Sequence, residues 1–375
     1  MIINIATTGR FHVLDLAREL HDLGHDVRFY SFVSKSRCER FGLKREYCVS
    51  FLPILFPLLA VQRLFPKSLF IRDVVELLLD YMVGHFMRRC DVFIAMSGVY
   101  LDAFRQAKKR FGAFTIIERG STHVNSFYEI MKSKPNPEPA KRLWHRMHGD
   151  REVEGYKICD IISIASDHVR ESFISNGIPE SKLLINPYAV DLDLFKPSIL
   201  TSEHYDVIMV GTWSYCKGAD RLAIACNELG LSLLHVGSPG DIVQKKTQNI
   251  THAGAVDQKE LPMYYAQARV FALHSRQEGM ALVQVQAMAC GLPIVCSQHT
   301  GGRDLRKFID DPKWIIETKD DSIEELKKSL MEAIRESNNQ PLQKTRQYSA
   351  CNKEFSWSSY GRRYNDNLLR IYHNE

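Results

Sequence analysis

The chain predicts an α/β protein of two domains, each a parallel sheet flanked by helices. Three observations carry this. Its 375 residues exceed what one core normally organises. Short apolar runs alternate with helical patterns through the first half. A second alternation of the same kind starts after a proline-bounded stretch, Asn186–Pro197.

In the first half, Ile2–Ala6 reads as a strand, followed by the turn Thr7-Thr8-Gly9. His12–Leu23 is an amphipathic pattern stopped at Gly24, and Val27–Phe32, Asp91–Met96 and Phe114–Glu118 are further β-runs. Ile161–Ala165, the helix Asp167–Asn176 and Leu183–Asn186 complete this half. The second alternation runs Asp206–Gly211, helix Ala219–Leu229, strand Ser232–Gly237, helix Pro262–Ala268 and strand Val270–His274. An apolar helix and the strand Ile294–Cys296 follow, and the tail Ser358–Tyr372 is helical in pattern.

Composition is that of a globular protein, 45% apolar and 25% charged. The nine cysteines are scattered without a CxxC pair, which predicts reduced, buried thiols. No charged-then-apolar leader precedes Ile2, so a cytoplasmic protein is expected. Net charge is +5, and residues 1–185 hold the whole excess, 27 basic against 21 acidic side chains. No nucleic-acid module stands in the sequence, so anionic lipid is the expected partner of that surface. Phe51–Phe65 is very apolar, interrupted by Pro53 and Pro57, and too short to span a bilayer. Cations flank it, among them Arg40, Lys44, Arg63, Lys67 and Arg88, a pattern that suits contact with a membrane surface.

The stretch Gln277–Val295, QEGMALVQVQAMACGLPIV, is the most telling. It opens on Glu278-Gly279, continues as a helix apolar on nearly every side, and stops at Gly291 and Pro293. Unpaired N–H groups at such a helix start suit a phosphate, and Glu278 can hold a neighbouring hydroxyl. Gly211-Thr212-Trp-Ser-Tyr-Cys-Lys217-Gly218 follows a strand and opens a helix, so its amides and the Lys217 ammonium can hold a diphosphate. His123 follows a strand of the first half, at the sheet end where open α/β folds bind ligands, with Arg119 as a weaker candidate beside it. Thr7-Thr8-Gly9-Arg10 forms the first βα turn. No group of His, Cys and carboxylate has metal-ligand spacing, and no acid/base pair stands out.

Glu278 followed by Ala287-Met-Ala-Cys-Gly-Leu-Pro293 resembles the donor-site signature of retaining glycosyltransferases of the GT-B fold, family 4. That signature carries two glutamates with seven residues between them; Glu278 matches the first and Gln286 stands for the second. Lys217-Gly218 resembles the family's Gly-Arg-x-x-x-x-Lys-Gly, with Thr212 where the arginine is expected. Asp191-Leu-Asp193 lies in a hinge that relatives share, which argues against a metal-binding Asp-x-Asp.

The resemblance implies two Rossmann-like domains facing a central cleft: an acceptor-binding domain at 1–190, a nucleotide-sugar-binding domain at 191–356, and a final helix at 357–375 crossing back onto the first. It implies that Glu278 binds donor-sugar hydroxyls, that Lys217 and the amides of Gly279, Met280, Ala281 and Leu282 stabilise the departing diphosphate, and that Gly211 and Thr212 belong to the same site. Gln286 would bond the ribose and His123 the transferred sugar. Gly9 and Arg10 would touch acceptor or phosphate. The expected activity is metal-independent transfer from a nucleotide-sugar to a glycan or lipid-linked acceptor, without a cofactor. The alternatives are a non-catalytic relative that binds sugar nucleotide or scaffolds a partner transferase, or a nucleotide-sugar epimerase of similar fold.

Overall fold

The computed structural model describes residues 1–197, 205–244, 247–309, 311–339 and 353–372. Cys351 and the last three residues of the expected final helix, 373–375, lie outside the described residues. Two all-parallel sheets form, as the double alternation predicts. The first has seven strands: β1 (Ile2–Ala6), β2 (Asp26–Ser31), β3 (Cys48–Ser50), β4 (Val92–Met96), β5 (Phe114–Arg119), β6 (Ile161–Ile164) and β7 (Leu183–Ile185), in the order β3-β2-β1-β4-β5-β6-β7. The second has six: β8 (Tyr205–Val210), β9 (Leu233–Val236), β10 (Ile250–Gly254), β11 (Ala268–Leu273), β12 (Ile294–Cys296) and β13 (Ile315–Glu317), in the order β10-β9-β8-β11-β12-β13.

Helices cover both faces, so the central strands are buried on both sides and read as unbroken apolar runs. Val92, Phe93, Ile94 and Ala95 of β4 are all fully buried. The short edge strands β3 and β13 and the alternating β10 leave no such run, and the sequence pattern does not reveal them. In each sheet the strand order reverses once, between β1 and β4 and between β8 and β11. Loops leaving the carboxyl ends of those strand pairs diverge and open a crevice. The segments Thr7–Phe11, Gly211–Gly218 and His274–Ala281 stand there.

The last helix, Trp357–Tyr372, returns to the first domain. The Tyr364 hydroxyl donates to Glu118 at the end of β5 (2.7 Å), and His25 pairs with Asn365 (2.7 Å). Gly361 lies against the helix Phe11–Asp22 so closely that a Cβ there would stand 2.4 Å from Glu19. Among the described residues eight cysteines stand outside any disulfide, seven of them buried.

The prolines of the apolar run do not break it. Residues Leu52–Leu64 form one helix, with Pro53 in the first turn, where its missing N–H costs nothing, and Pro57 within it at the loss of one backbone bond. That helix and the next, Leu69–Phe86, turn large apolar side chains to solvent: Phe56 is 62% exposed, Leu64 75%, Phe70 76% and Phe86 68%. Among the described residues no helix is long and apolar enough to cross a membrane.

Candidate active site

The loop leaving β8 is built on glycine. Gly211 has φ +134°, and Gly237 packs on it so tightly that a Cβ would stand 1.9 Å from the Gly211 carbonyl. Gly218, at φ +69°, starts the helix Ala219–Leu229 against the end of β11, where a Cβ would stand 1.9 Å from the His274 carbonyl. Only glycine permits that approach. It brings Lys217 to Glu278, whose carboxylate its ammonium contacts, across 61 residues of sequence. Both side chains are about a quarter exposed or less, 26% and 18%, so the pair sits at an accessible rim.

Thr212 carries no charge into this loop; its hydroxyl meets that of Ser238 at 3.3 Å. The loop's other cation comes from Arg276, which lies over the Tyr215 ring (3.7 Å to the centroid). It is committed to both oxygens of Asp220 (2.7 Å each) and to the Tyr215 carbonyl (2.6 Å).

The signature helix runs Leu282–Ala289. Its cap, Ala281, offers no side-chain acceptor, so the first amides of the helix stay without that partner. Met280 and Ala281 are buried. Gln286 accepts from the Tyr265 hydroxyl through Oε1 (3.3 Å), while its amide nitrogen makes no hydrogen bond among the described residues. An amide in place of a carboxylate here keeps the acceptor, adds a donor and buries no charge.

A cavity of about 540 Å³ lies between the domains. Glu278, Met280, Leu282 and Gln286 line it from one side, and Arg10, His12, Arg119, Gly120, Ser121 and Glu152 from the other. The domains meet beside it. Gly279 presses on Gly120, where a Cβ would stand 2.2 Å from the carbonyl oxygen. Gln277 donates to Ser121 (2.6 Å), Ser166 to the Gly279 carbonyl (2.7 Å), and Nε2 of His168 to the Glu278 carbonyl (2.7 Å). Arg10 donates to Gln258 (2.5 Å).

The residues singled out in the sequence therefore divide. Glu278, Met280, Leu282, Gln286 and Arg10 line the cavity, and Lys217 reaches it through Glu278. Gly211, Thr212, Gly279 and Ala281 shape adjoining backbone. Gly9 donates to Thr7 within its own turn (3.2 Å) and lies outside the lining. His123 is also outside the lining. It caps the helix Val124–Lys132, its Nδ1 accepting from the Asn125 amide (3.2 Å), with its ring among Tyr156 and Phe173. Burial, and then the charge of Arg119, pull its pKa down to about 4. Arg119 is itself buried and held by Glu152 and the Thr122 carbonyl.

Sequence reasoning missed two sets of side chains. Ser166 and His168 reach the Glu278–Gly279 backbone from more than 100 residues away. His12, Glu118 and Tyr364 form a buried chain of hydrogen bonds ending at the cavity, an acid/base pair that no local motif announces. Asp191 ties back to the amides of Asp193 and Leu194 (3.1 Å each), an Asx turn that accounts for the hinge acid. Away from the cavity, Asp73, Glu76 and His148 bring ligand atoms within 4.8 Å of one another, a grouping of possible metal ligands that sequence spacing did not reveal. Arg72 and His145 already pair with its carboxylates.

Residues 204–336 match the family model described as Glycosyl transferases group 1. O-antigen chain mannosyltransferase B of Escherichia coli is 28% identical over 120 residues, which is 32% of this chain and 30% of that protein. The GDP-mannose-dependent alpha-(1-6)-phosphatidylinositol monomannoside mannosyltransferase of Mycolicibacterium smegmatis is 26% identical over 172 residues, 38% of this chain and 45% of that one. The chain thus spans less than half the length of these curated relatives. Over the whole molecule it superposes on sucrose-phosphate synthase from Thermosynechococcus elongatus with a TM-score of 0.64 at 15% identity, covering 100% of both chains. Anabaena Alr3699/HepE, solved in complex with UDP-glucose, gives 0.67 at 14% identity over 98% of this chain and 99% of that one. These likenesses establish the GT-B fold of two Rossmann-like domains.

Proposed function

We propose that this chain, a GT-B protein whose second domain matches the group 1 glycosyl transferases, moves a sugar with retention of configuration from a nucleotide-sugar to a glycan or lipid-linked acceptor in cell-surface polysaccharide or glycolipid synthesis. One observation carries the reading: Lys217 and Glu278 meet at the rim of a cavity that both domains line, beside an uncapped helix start. Diphosphate charge is met there by an ammonium and backbone amides, and sugar hydroxyls by a carboxylate. The chemistry this arrangement supports is positioning and charge stabilisation of an oxocarbenium-like transition state, without metal. Glu278 holds the sugar, Lys217 and the amides of Gly279, Met280, Ala281 and Leu282 hold the leaving diphosphate, and Gln286 meets the ribose through its open amide. Gly211 and Thr212 form the wall of the diphosphate loop, and Gly9-Arg10 face the acceptor side. His123 serves as the cap that positions Gly120–Thr122.

The curated relatives are named as mannosyltransferases, and a superposing structure carries UDP-glucose, so GDP-mannose and UDP-glucose are the first donors to try. An acceptor at a membrane is supported by the exposed apolar faces of Leu52–Leu64 and Leu69–Phe86, and by Arg63 and Lys67, which have no acidic partner among the described residues. Thermal-shift titration with UDP-, GDP-, ADP- and CDP-sugars tests donor binding, because a ligand that binds only the folded state raises its melting temperature. Proton NMR of the new glycosidic bond then reports its configuration. No shift with any of these donors, or a product of inverted configuration, removes the corresponding part of the reading.

A further inference from the structure

We propose that Asp73, Glu76 and His148 bind one divalent transition-metal ion, zinc by the chemistry of its ligands, at a site of the first domain apart from the cavity between the domains. None of the three lines that cavity, so the ion has no part in holding a diphosphate, and the inference stands whether or not the transferase reading does. Asp73 and Glu76 are three residues apart on the helix Leu69–Phe86 and share one of its faces. His145 and His148 have the same spacing, at and just past the end of the helix Ala140–Arg146. His148 opens the next helix, Gly149–Ile158, with φ +55°, a conformation uncommon outside glycine. The turn around it is tightly built. The Trp144 ring packs where a Cβ on Gly149 would stand 2.0 Å from it, and Trp144 Nε1 donates to Asp150 (3.0 Å).

That turn brings the imidazole to the two acids. One ligand atom from each of Asp73, Glu76 and His148 lies within 4.8 Å of the other two. Nε2 of His148 is 3.3 Å from Oε2 of Glu76, and neither side chain makes a hydrogen bond among the described residues. Ligands about 2.1 Å from a tetrahedral zinc stand about 3.4 Å apart, so the pair has the spacing of two ligands of one ion. Both side chains are 20% exposed. A largely buried carboxylate without a hydrogen bond is costly unless a cation meets it. Burial pushes Glu76 up to about 7; burial, and then the charge of Arg72, pull His148 down to about 4. The ring is thus neutral at pH 7, the form in which imidazole ligates a metal.

The surrounding groups hold the ligands in place. Arg72 donates to Oδ1 of Asp73 through Nε (3.1 Å) and Nη2 (2.7 Å), and to the carbonyls of Arg146 (2.9 Å) and His145 (3.3 Å). It therefore ties the acid to the turn that carries His148. His145 meets the other oxygen of Asp73 through Nε2 (2.5 Å). Each carboxylate oxygen keeps a second lone pair, and ligating carboxylates are ordinarily hydrogen-bonded by such outer partners. Arg72 balances one of the two acids, which leaves one negative charge for a cation. A ring nitrogen beside two carboxylates selects zinc over calcium or magnesium, which take oxygen alone. A cavity of about 510 Å³ opens beside the three residues, lined also by Lys141, Trp144 and Arg151, so water has access to the remaining coordination position. The bound ion would tie the helix Leu69–Phe86, with its exposed Phe70 and Leu77, to the turn before Gly149–Ile158.

The test uses the full chain, stripped with chelator and titrated with zinc or cobalt(II) alone. One ion should bind per chain at micromolar concentration or below and raise the melting temperature. Magnesium at the same concentration should not compete. Glu76→Gln and His148→Asn should each weaken zinc by more than the about 10- to 100-fold that loss of an outer partner costs. Asparagine tolerates a positive φ, so His148→Asn keeps the turn. X-ray absorption of the zinc-loaded wild type should show nitrogen and oxygen ligands with one imidazole and no sulfur. Wild type that takes up no zinc, or folded variants that bind it as wild type does, overturn the assignment. If the variants do not fold, the wild-type spectrum decides: sulfur ligands or the lack of an imidazole overturn it, and one imidazole among oxygens supports it.

Discussion

Gly279 of the second domain and Gly120 of the first touch backbone to backbone, with no room for a side chain between them: a Cβ on Gly279 would stand 2.2 Å from the Gly120 carbonyl oxygen. The Glu278–Gly279 loop and the first domain are therefore pressed together beside the cavity. Gly279→Ala should force the domains apart there or displace the Glu278 carboxylate. The expected outcome is a transfer rate lowered by about 10²-fold, the scale of a small misplacement of catalytic groups, with a melting temperature close to wild type. A kinetic comparison of the variant with wild type decides it, and equal Michaelis constants and turnover would mean the contact is incidental.

Glu278→Ala should reduce transfer by about 10²-fold or more while leaving the fold intact, because the side chain is a positioned contact and not a packing group. Lys217→Ala should weaken nucleoside diphosphate and intact donor alike, since in the proposed reading the ammonium that contacts Glu278 also acts on the diphosphate. Calorimetry with the free diphosphate separates the two. Unchanged affinity in Lys217→Ala would make the residue only the counter-ion of Glu278.

Gln286→Ala should raise the donor Michaelis constant more than it lowers the ligand-free melting temperature. The side chain gives up one hydrogen bond from Tyr265, whereas in the proposed reading its open amide serves the ribose. A large loss of stability with unaltered donor affinity would make the glutamine structural.

Stability should fall as pH drops from about 7 toward 4. His123 is held near 4 against its ordinary 6.5, so between those values the unfolded chain takes a proton that the native cap refuses. The cap's contribution is present above the unfolded pKa and is lost as pH falls. His123→Asn keeps a capping side chain without the titration, so its melting temperature should vary less over this range. Parallel slopes for the two proteins would assign the acid sensitivity elsewhere, for example to buried His168, held near 3.

Binding to vesicles should require anionic lipid and weaken with salt. Arg63 and Lys67 stand beside the exposed Leu64 and Phe65, and each cation near an anionic surface adds about 1 kcal/mol. Screening shortens the reach of those charges to about 10 Å at 0.1 M salt. Sedimentation with neutral and anionic vesicles checks this; salt-insensitive partition equal on both would refute the electrostatic part. Replacing Leu64 and Phe70 with serine should lower binding to the anionic vesicles as well.

The sequence makes legible what repeats locally. Both sheets follow from alternation, and the helix Leu282–Ala289 from its apolar run and its Gly-x-Pro stop. Lys217 and Glu278 are marked by the glycines beside them. What sequence leaves dark is anything joined only in space. His12 and Glu118 are 106 positions apart, and neither sits in a repeating pattern. His123 follows β5, where the sequence points to function, and its capping of the helix Val124–Lys132 is a second use of the same position that only the structure reveals. Pro57 shows that a propensity rule yields when a helix has one face packed against its neighbour and can forgo one bond.

The return of the last helix makes the first domain discontinuous in sequence. Glu118 is made early during synthesis, but the hydroxyl that satisfies it belongs to Tyr364, near the end of the chain. Until residues through Leu368 have left the ribosome, the nascent first domain lacks the wall formed by Tyr360, Tyr364 and Leu368. It can reach its final packing only when the second domain has already been made, so a message cut before Trp357 yields an unfinished first domain.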